Sequence, residues 1–405
     1  MIRPTARRPR GHRFLLVTAV ALLAAALSAM APATSGPRAQ EWPLDAQHFD
    51  AARIQPISQG ANVVVAVVDS GVDASQPDLS GRVLPGVNLV SDGAVDGRTD
   101  VSPDSHGTSI AALIAGTGTA DGGAGILGLA PQAMILPVRV SQGSQVDQAT
   151  LAEGITWAAD HGARVINVSM GAPEPDPRVA DAVAYAQKHG CVVVASAGNS
   201  AQAGDPVMYP AGFPGVVAVT GSTTSHTFWT AGESGSFVDL AAPAEDIESV
   251  SDTGQYLQSN GTSYSAAYVS ATAALIASHY PKLTGAQIIQ RLILTASDAR
   301  KPNTQWGYGE IDPLAAVTSP ITPLSDTNPL MTRPATARGS SMTTVVAIFG
   351  VIGIVLLTGA ALLVNRRRRA KTLRQDQAPR PQSKQTKQTG SRGSTSASAK
   401  PKSRR

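Results

Sequence analysis

Asp69, His106 and Ser263 lie in three short segments whose composition suits acyl transfer: VVVAVVDSGVD over 63–73, DSHGTSIAALIAG over 104–116 and NGTSYSAAYVS over 260–270. A serine hydroxyl is a weak nucleophile near neutral pH. It needs a base to take its proton and a carboxylate to orient and stabilise that base. The chain has seven histidines from which to draw the base. His12 lies in a segment expected to be removed, and His161, His189 and His279 close helix-like stretches just before Gly162, Gly190 or Pro281, where imidazole commonly caps a helix. Of the remaining three, His48, His106 and His226, only His106 opens a small-residue helix after a Ser/Asp-rich loop. It is followed by Gly107 and Thr108, where backbone can approach closely.

Each of the other positions has a plainer reading beside the chemical one. Asp69 ends an apolar, β-branched run at the carboxyl edge of an expected parallel strand, where open α/β sheets place their clefts; a turn aspartate bonding its own backbone would look the same. Ser263 opens a helix-like stretch to Ser278 that Pro281 stops, so its hydroxyl sits where free N–H groups and the dipole can stabilise an oxyanion; a simple N-cap serine is the alternative. Asn199 follows the strand-like run CVVVA over 191–195 and presents an amide at the same sheet edge, although asparagine also occupies turns for its tolerance of left-handed backbone.

These residues need a scaffold that gathers them. Strand-like runs at Val63–Val68, Met134–Val140, Arg164–Ser169, Cys191–Ala195 and Gly215–Thr220 alternate with helix-like runs at His106–Ala115, Gln148–His161 and Arg178–His189. Such alternation indicates an α/β fold, a parallel sheet with helices on both faces. Asp69, the turn at Ser169 and Asn199 all follow strands, and so share one edge.

With the three motifs in this order, the chain resembles the subtilisin-like serine proteases, the subtilases, over roughly residues 61–318, which implies a subtilisin-like three-layer fold. The resemblance implies Asp69 as orienting acid, His106 as general base and then general acid, and Ser263 as nucleophile. It implies an oxyanion hole of Asn199 and the Ser263 N–H, with Thr262 assisting. It also implies a substrate strand held between Ser169, Met170 and Gly171 and the segment around Ser141 to Asp147, with Met208 near a primary pocket for small or apolar side chains. Two positions depart from the family pattern: Ser105 stands where glycine usually precedes the histidine, and Ala267 where proline usually follows the nucleophile. Asp78 matches a calcium ligand of secreted subtilases, but the facing loop over 121–125 (DGGAG) lacks their amide side chains. Calcium wants six or more oxygens, so no cofactor or metal is expected.

The chain ends speak to location. Residues 1–13 carry five arginines and no acid, Phe14 to Leu27 is apolar and small residues follow, an export signal over 1–33. Residues 34–60 form a short N-terminal extension, and 319–341 a Pro/Thr-rich linker. Val345 to Val364 is uncharged and apolar, long enough to cross a bilayer as a helix over 342–364. Arg366 to Arg369 then mark the cytoplasmic side, leaving a basic, disordered tail over 365–405. Residues 41–365 hold 13 basic against 28 acidic side chains, and 366–405 hold 14 against one, so the basic balance of the whole chain is no nucleic-acid signature. The lone Cys191 excludes an intramolecular disulfide.

This layout resembles the mycosins, membrane-anchored subtilases associated with type VII secretion. It departs from them in lacking disulfides and in its longer tail. The resemblance implies a single-pass membrane enzyme with an extracytoplasmic catalytic domain that acts on exported protein or peptide substrates in contact with a secretion complex. The alternatives are a largely structural component of that complex and a general housekeeping protease.

Overall fold

A computed structural model describes residues 36–91, 96–143, 146–298, 301–321 and 324–332. The expected signal peptide, membrane helix and basic tail lie outside the described residues. Among the described residues no helix is long and apolar enough to cross a membrane.

Nine strands are described: β1 (Val64–Asp69), β2 (Val87–Asn88), β3 (Met134–Arg139), β4 (Val165–Val168), β5 (Val192–Ser196), β6 (Val217–Ser222), β7 (Leu240–Pro243), β8 (Ile247–Val250) and β9 (Tyr256–Ser259). The first seven form one sheet in the order β2-β3-β1-β4-β5-β6-β7, and every pairing in it is parallel. β8 and β9 form a separate antiparallel ribbon. The principal helices are α1 (His106–Ala115), α2 (Gln148–Asp160), α3 (Pro177–Lys188), α4 (Thr262–His279), α5 (Gly285–Thr295) and α6 (Pro313–Thr318).

The central strands read as continuous apolar runs because both faces are covered. Alternate residues serve different layers: Val65, Val67, Val192, Val194, Val217 and Val219 enter the core shared with α1 and α4. Ala66, Val68, Ile166, Val168, Val193 and Ala195 enter the core shared with α2 and α3. α4 is buried from Thr262 to Ala277. Its alanines and serines give it the narrow girth to lie on the sheet, and Ser265 returns its hydroxyl to the Ala242 carbonyl at 2.9 Å. Asp147, Asp176 and Thr284 cap α2, α3 and α5 through their side chains.

The expected elements occur within a few residues of their sequence positions. Four strands that the sequence reading passed over, β2, β7, β8 and β9, are short or polar. The first residues of the stretch expected to be a linker, those described up to 332, pack on the domain. Leu330 is buried, Asn328 donates to the Gly215 carbonyl at 2.9 Å, and the Gln290 amide reaches the carbonyls of Ser325 and Thr327 at 2.6 and 2.8 Å. Burial of one leucine and these amide bonds fasten a Pro/Thr-rich stretch whose composition reads as extended. The N-terminal extension is fastened as well: Trp42 Nε1 donates to the Glu245 carbonyl at 3.1 Å, buried Glu41 accepts the Leu127 N–H, and Phe49 packs edge-on against Tyr268.

α1 meets the end of β1 so closely that backbone touches backbone. A Cβ added at Gly107 would stand 2.0 Å from the Gly71 carbonyl oxygen and 3.2 Å from the Asp69 Cβ. Gly107→Ala must therefore push α1 away from β1. The expected loss is about 1–3 kcal/mol of unfolding free energy in a urea titration, the usual cost of overpacking, together with a weaker contact between His106 and Asp69.

Candidate active site

The parallel sheet ends its central strands at one edge, and the loops leaving that edge carry the chemistry. Asp69 closes β1 with its side chain fully buried, and His106 opens α1 above it with its side chain 23% exposed. The imidazole Nδ1 lies 2.9 Å from Asp69 Oδ1 and 3.1 Å from Oδ2, so Nδ1 donates its proton to the carboxylate and Nε2 faces outward. Oδ1 also accepts the Ser70 N–H at 2.8 Å.

A second buried carboxylate, unnoticed in the sequence, stitches this corner together. Asp100 accepts from the Ser70 hydroxyl at 2.8 Å, from the Ser102 N–H at 3.0 Å, and from the Thr108 N–H and hydroxyl at 2.8 Å each. Ser102 in turn accepts the His106 N–H at 2.7 Å. The turn after β1 and the first turn of α1 are thereby tied to one side chain.

Ser105 adopts left-handed backbone (φ 53°, ψ 41°) at the entrance to α1. Glycine reaches that region without cost, and serine does not. Here its hydroxyl donates to Asp252 Oδ1 at 2.7 Å, a bond glycine could not make. Ala267, the other departure, sits buried within an uninterrupted α4.

Ser263 occupies the first turn of α4, where backbone N–H groups have no partner within the helix. Its hydroxyl donates to the Ser169 carbonyl at 3.1 Å rather than to the imidazole. Ser169 replies with a hydroxyl bond to the Ser263 carbonyl at 3.2 Å and is steadied by Asn167 Nδ2 at 2.9 Å. The Asn167 amide oxygen takes the Ser270 hydroxyl, also at 2.9 Å. Asn167 is fully buried within β4. A lone amide in an apolar strand is a signal for such an anchor, and the sequence reading missed it.

Asn199 follows β5, and its Oδ1 accepts both the Thr262 N–H and the Thr262 hydroxyl at 2.9 Å. With the oxygen so occupied, Nδ2 is the end left for the cavity. A cavity of about 430 Å³ opens over these groups, lined by His106, Ser169, Met170, Asn199 and Ser263 together with Asp104, Gly143 and Tyr264. The fold thus gathers Asp69, His106, Ser263, Asn199, Ser169 and Met170. Thr262 is fully buried and its polar atoms are bonded to Asn199 and Gly198, so the place it takes at the site is behind the amide. Gly171 and Met208 also stand off the lining. Gly171 fits beneath the Tyr209 carbonyl, 2.4 Å from where a Cβ would fall, and Ala172 pairs with Tyr209. Of the facing segment expected over 141–147, Gly143 reaches the cavity, and residues 144 and 145 lie outside the described residues.

Burial pushes the imidazole pKa down, but the charge and hydrogen bond of Asp69, with Asp104 and Asp100 nearby, outweigh it and raise His106 from 6.5 to about 9. The carboxylate at the foot of the site therefore makes the imidazole a stronger base and stabilises the imidazolium. Near Asp78, both carboxylate oxygens are taken by the loop itself, Oδ1 by the Ala120 N–H at 3.0 Å and Oδ2 by the Ile126 N–H at 2.9 Å. Among the described residues no cluster of three His, Cys, Asp or Glu side chains could hold a metal ion. Cys191 is buried, its thiol pushed up to about 11 by burial, and takes no part in the cavity.

Comparisons with known proteins point to one family. The sequence pattern of the subtilase family matches residues 60–309. Thermitase of Thermoactinomyces vulgaris is 34% identical over 272 residues, covering 67% of this chain and 94% of its own. Among solved structures, MycP1 from the ESX-1 type VII secretion system superposes with a TM-score of 0.62 at 31% identity, covering 71% of this chain and 88% of its own. The MycP3 protease from the type VII (ESX-3) secretion system gives 0.56 at 33% identity, covering 67% and 86%.

An NMR titration of the His106 imidazole should place its midpoint near 9. In Asp69→Asn the two largest raising interactions go, while burial and the weaker charges of Asp104 and Asp100 remain, so the midpoint should fall well below 9. Because the folded pKa lies above the unfolded one, the stability this pair contributes is fully present below about 6.5 and is lost as pH rises through about 9.

Proposed function

The chain belongs to the subtilase family, a subtilisin-like serine endopeptidase, and from this premise we propose that it is a membrane-anchored enzyme that cleaves exported proteins at the outer face of the membrane through Asp69, His106 and Ser263. The observation that carries the residue assignment is the Nδ1 bond from His106 to a fully buried Asp69, with Ser263 and Asn199 on the same cavity.

In this reading Ser263 turns its hydroxyl from the Ser169 carbonyl to His106 Nε2 as a peptide enters. Nε2 takes the proton while Oγ attacks the scissile carbonyl, and Asp69 stabilises the imidazolium that forms. The charge that develops on the carbonyl oxygen is met by Asn199 Nδ2 and the Ser263 N–H, donors already fixed before the reaction begins. The imidazolium then gives its proton to the departing amine. Water repeats the sequence on the acyl-enzyme, again with His106 as base, and frees Ser263. No metal or cofactor is needed for any of these steps.

The location is supported by the basic, then apolar start over 1–27, the apolar Val345 to Val364 and the arginine cluster that follows. A link to type VII secretion rests on the resemblance to MycP1 and MycP3, which come from such systems. The same resemblance favours a second reading, in which the anchored domain stabilises a secretion assembly whether or not it cuts. A strain carrying Ser263→Ala separates the two: secretion altered by the point change supports proteolysis, and secretion lost only on deletion supports the structural role.

Ser263→Ala in the purified full-length chain should lower kcat for a peptide amide by about a million-fold with circular dichroism unchanged, the scale of a serine nucleophile's contribution. Asn199→Ala should cost about a hundred- to a thousand-fold, mostly in kcat. Undiminished hydrolysis by the first variant would remove Ser263 from the mechanism.

A further inference from the structure

Behind the loop that carries Asn199 lies a carboxyl group that the mechanism above does not use. Glu233 is fully buried. Its Oε1 accepts the Ser200 N–H at 2.8 Å, and its Oε2 has no hydrogen-bond partner among the described residues. Its own backbone is bound to the same loop, the Glu233 N–H donating to the Gly198 carbonyl at 3.2 Å, while the Thr220 hydroxyl holds the Glu233 carbonyl at 2.8 Å. Gly198 has φ +117°, and a Cβ there would fall 2.6–2.7 Å from the carboxyl atoms. The carboxyl group thus fills the space that a side chain at position 198 would occupy. From the opposite side Thr262 grips Gly198 and Asn199, so the loop is clamped between the start of α4 and Glu233.

We propose that Glu233 is a positioning residue for the oxyanion site: its carboxyl group, lodged behind Gly198 and bonded to Ser200, holds the 198–200 loop so that the Asn199 amide stays aimed into the cleft. The inference rests on the assignment of Asn199 given above. A carboxyl group does here what no apolar side chain could, because it gives the Ser200 N–H an acceptor on the protein side of the loop. An ionised carboxylate makes that bond charge-assisted and stronger, and a protonated one makes it ordinary. The clamp is therefore tighter in the ionised form.

Burial pushes the Glu233 carboxyl up, the Ser200 N–H draws it down, and the charge of Asp205 raises it further, to about 7. Asp205, whose Oδ1 accepts the Ser234 N–H at 2.8 Å, is the charged group facing it from the same loop region. β6 and the first turn of α4 contribute the hydroxyls of Thr220 and Thr262 there. The loop grip thus strengthens as pH rises through about 7, apart from the change at His106 near 9.

The test is a double-mutant cycle on the purified full-length chain, with kcat and KM measured for a peptide p-nitroanilide between pH 5.5 and about 10, a range chosen to span both titrations. Glu233→Ala should lower kcat about tenfold with KM nearly unchanged. Placed on Asn199→Ala it should cost less than about twofold more, because both changes remove the same donor. Glu233→Gln, which keeps the shape and the acceptor but cannot ionise, should fold normally and lose the step in kcat near 7 while keeping the one near 9. If Glu233→Ala does not fold by circular dichroism, the Glu233→Gln profile decides alone. Losses that multiply in the double variant, or a step near 7 that survives Glu233→Gln, would overturn the proposal. Ser263→Ala, run alongside, reports separately on the underlying mechanism, since activity there would remove that reading whatever Glu233 does.

Discussion

A carboxylate with no exposed surface at the end of β1 sets the terms for the rest of the molecule. Burying the charge of Asp69 is costly unless hydrogen bonds and an opposite charge compensate it. The Ser70 N–H and the His106 imidazole supply that compensation. The same contact makes the imidazole a stronger base, fixes which ring nitrogen carries the proton and turns Nε2 toward the cleft. Structure and reactivity are two consequences of one ion pair.

Keeping that pair together constrains the surrounding chain. α1 must sit against the β1 turn with no side chain between them, which Gly107 and Gly71 allow, and Asp100 binds the two segments from below. On the other wall, α4 must present Ser263 at its first turn beside the β4 and β5 loops. Its small residues let it lie low on the sheet, and the Asn167, Ser169 and Ser270 hydrogen bonds locate it. The cleft is thus built of backbone contacts and buried hydrogen bonds on rigid elements, the kind of support that keeps a site organised before substrate arrives.

Much of this was legible in the sequence because it is carried by strong local patterns. β1, β3, β4, β5 and β6 are dense in valine and isoleucine, and the three motifs lie where such strands end or such helices begin. β7 reads LAAP and β9 reads YLQS, sequences with no alternation or β-branched run to mark them, and both depend on neighbours for their pairing. The assisting role of Thr262 came from the family resemblance and not from its spacing. A helix turns about 100° per residue, so adjacent side chains point apart, and Thr262 faces Asn199 from the rear. Asp100 and Glu233 lay in loops of Gly, Ser and Thr where acidic residues are ordinarily solvated, and their burial comes from tertiary packing that no spacing announces. The first described residues of the expected linker were illegible for the converse reason: their composition reads as extended, while buried Leu330 and the Gln290 and Asn328 amide bonds fasten them.

The central claim is that Ser263, resting on the Ser169 carbonyl, is poised to turn toward His106 and react, with its oxyanion held by Asn199. A crystal structure of the full-length chain treated with a peptidyl phosphonate tests it most directly. The account predicts phosphorus bonded to Ser263 Oγ, the phosphonyl oxygen within hydrogen-bonding distance of Asn199 Nδ2 and the Ser263 N–H, and the Ser169 carbonyl released from the hydroxyl. A phosphonate bonded elsewhere, or one on Ser263 whose oxygen points away from Asn199, would contradict it.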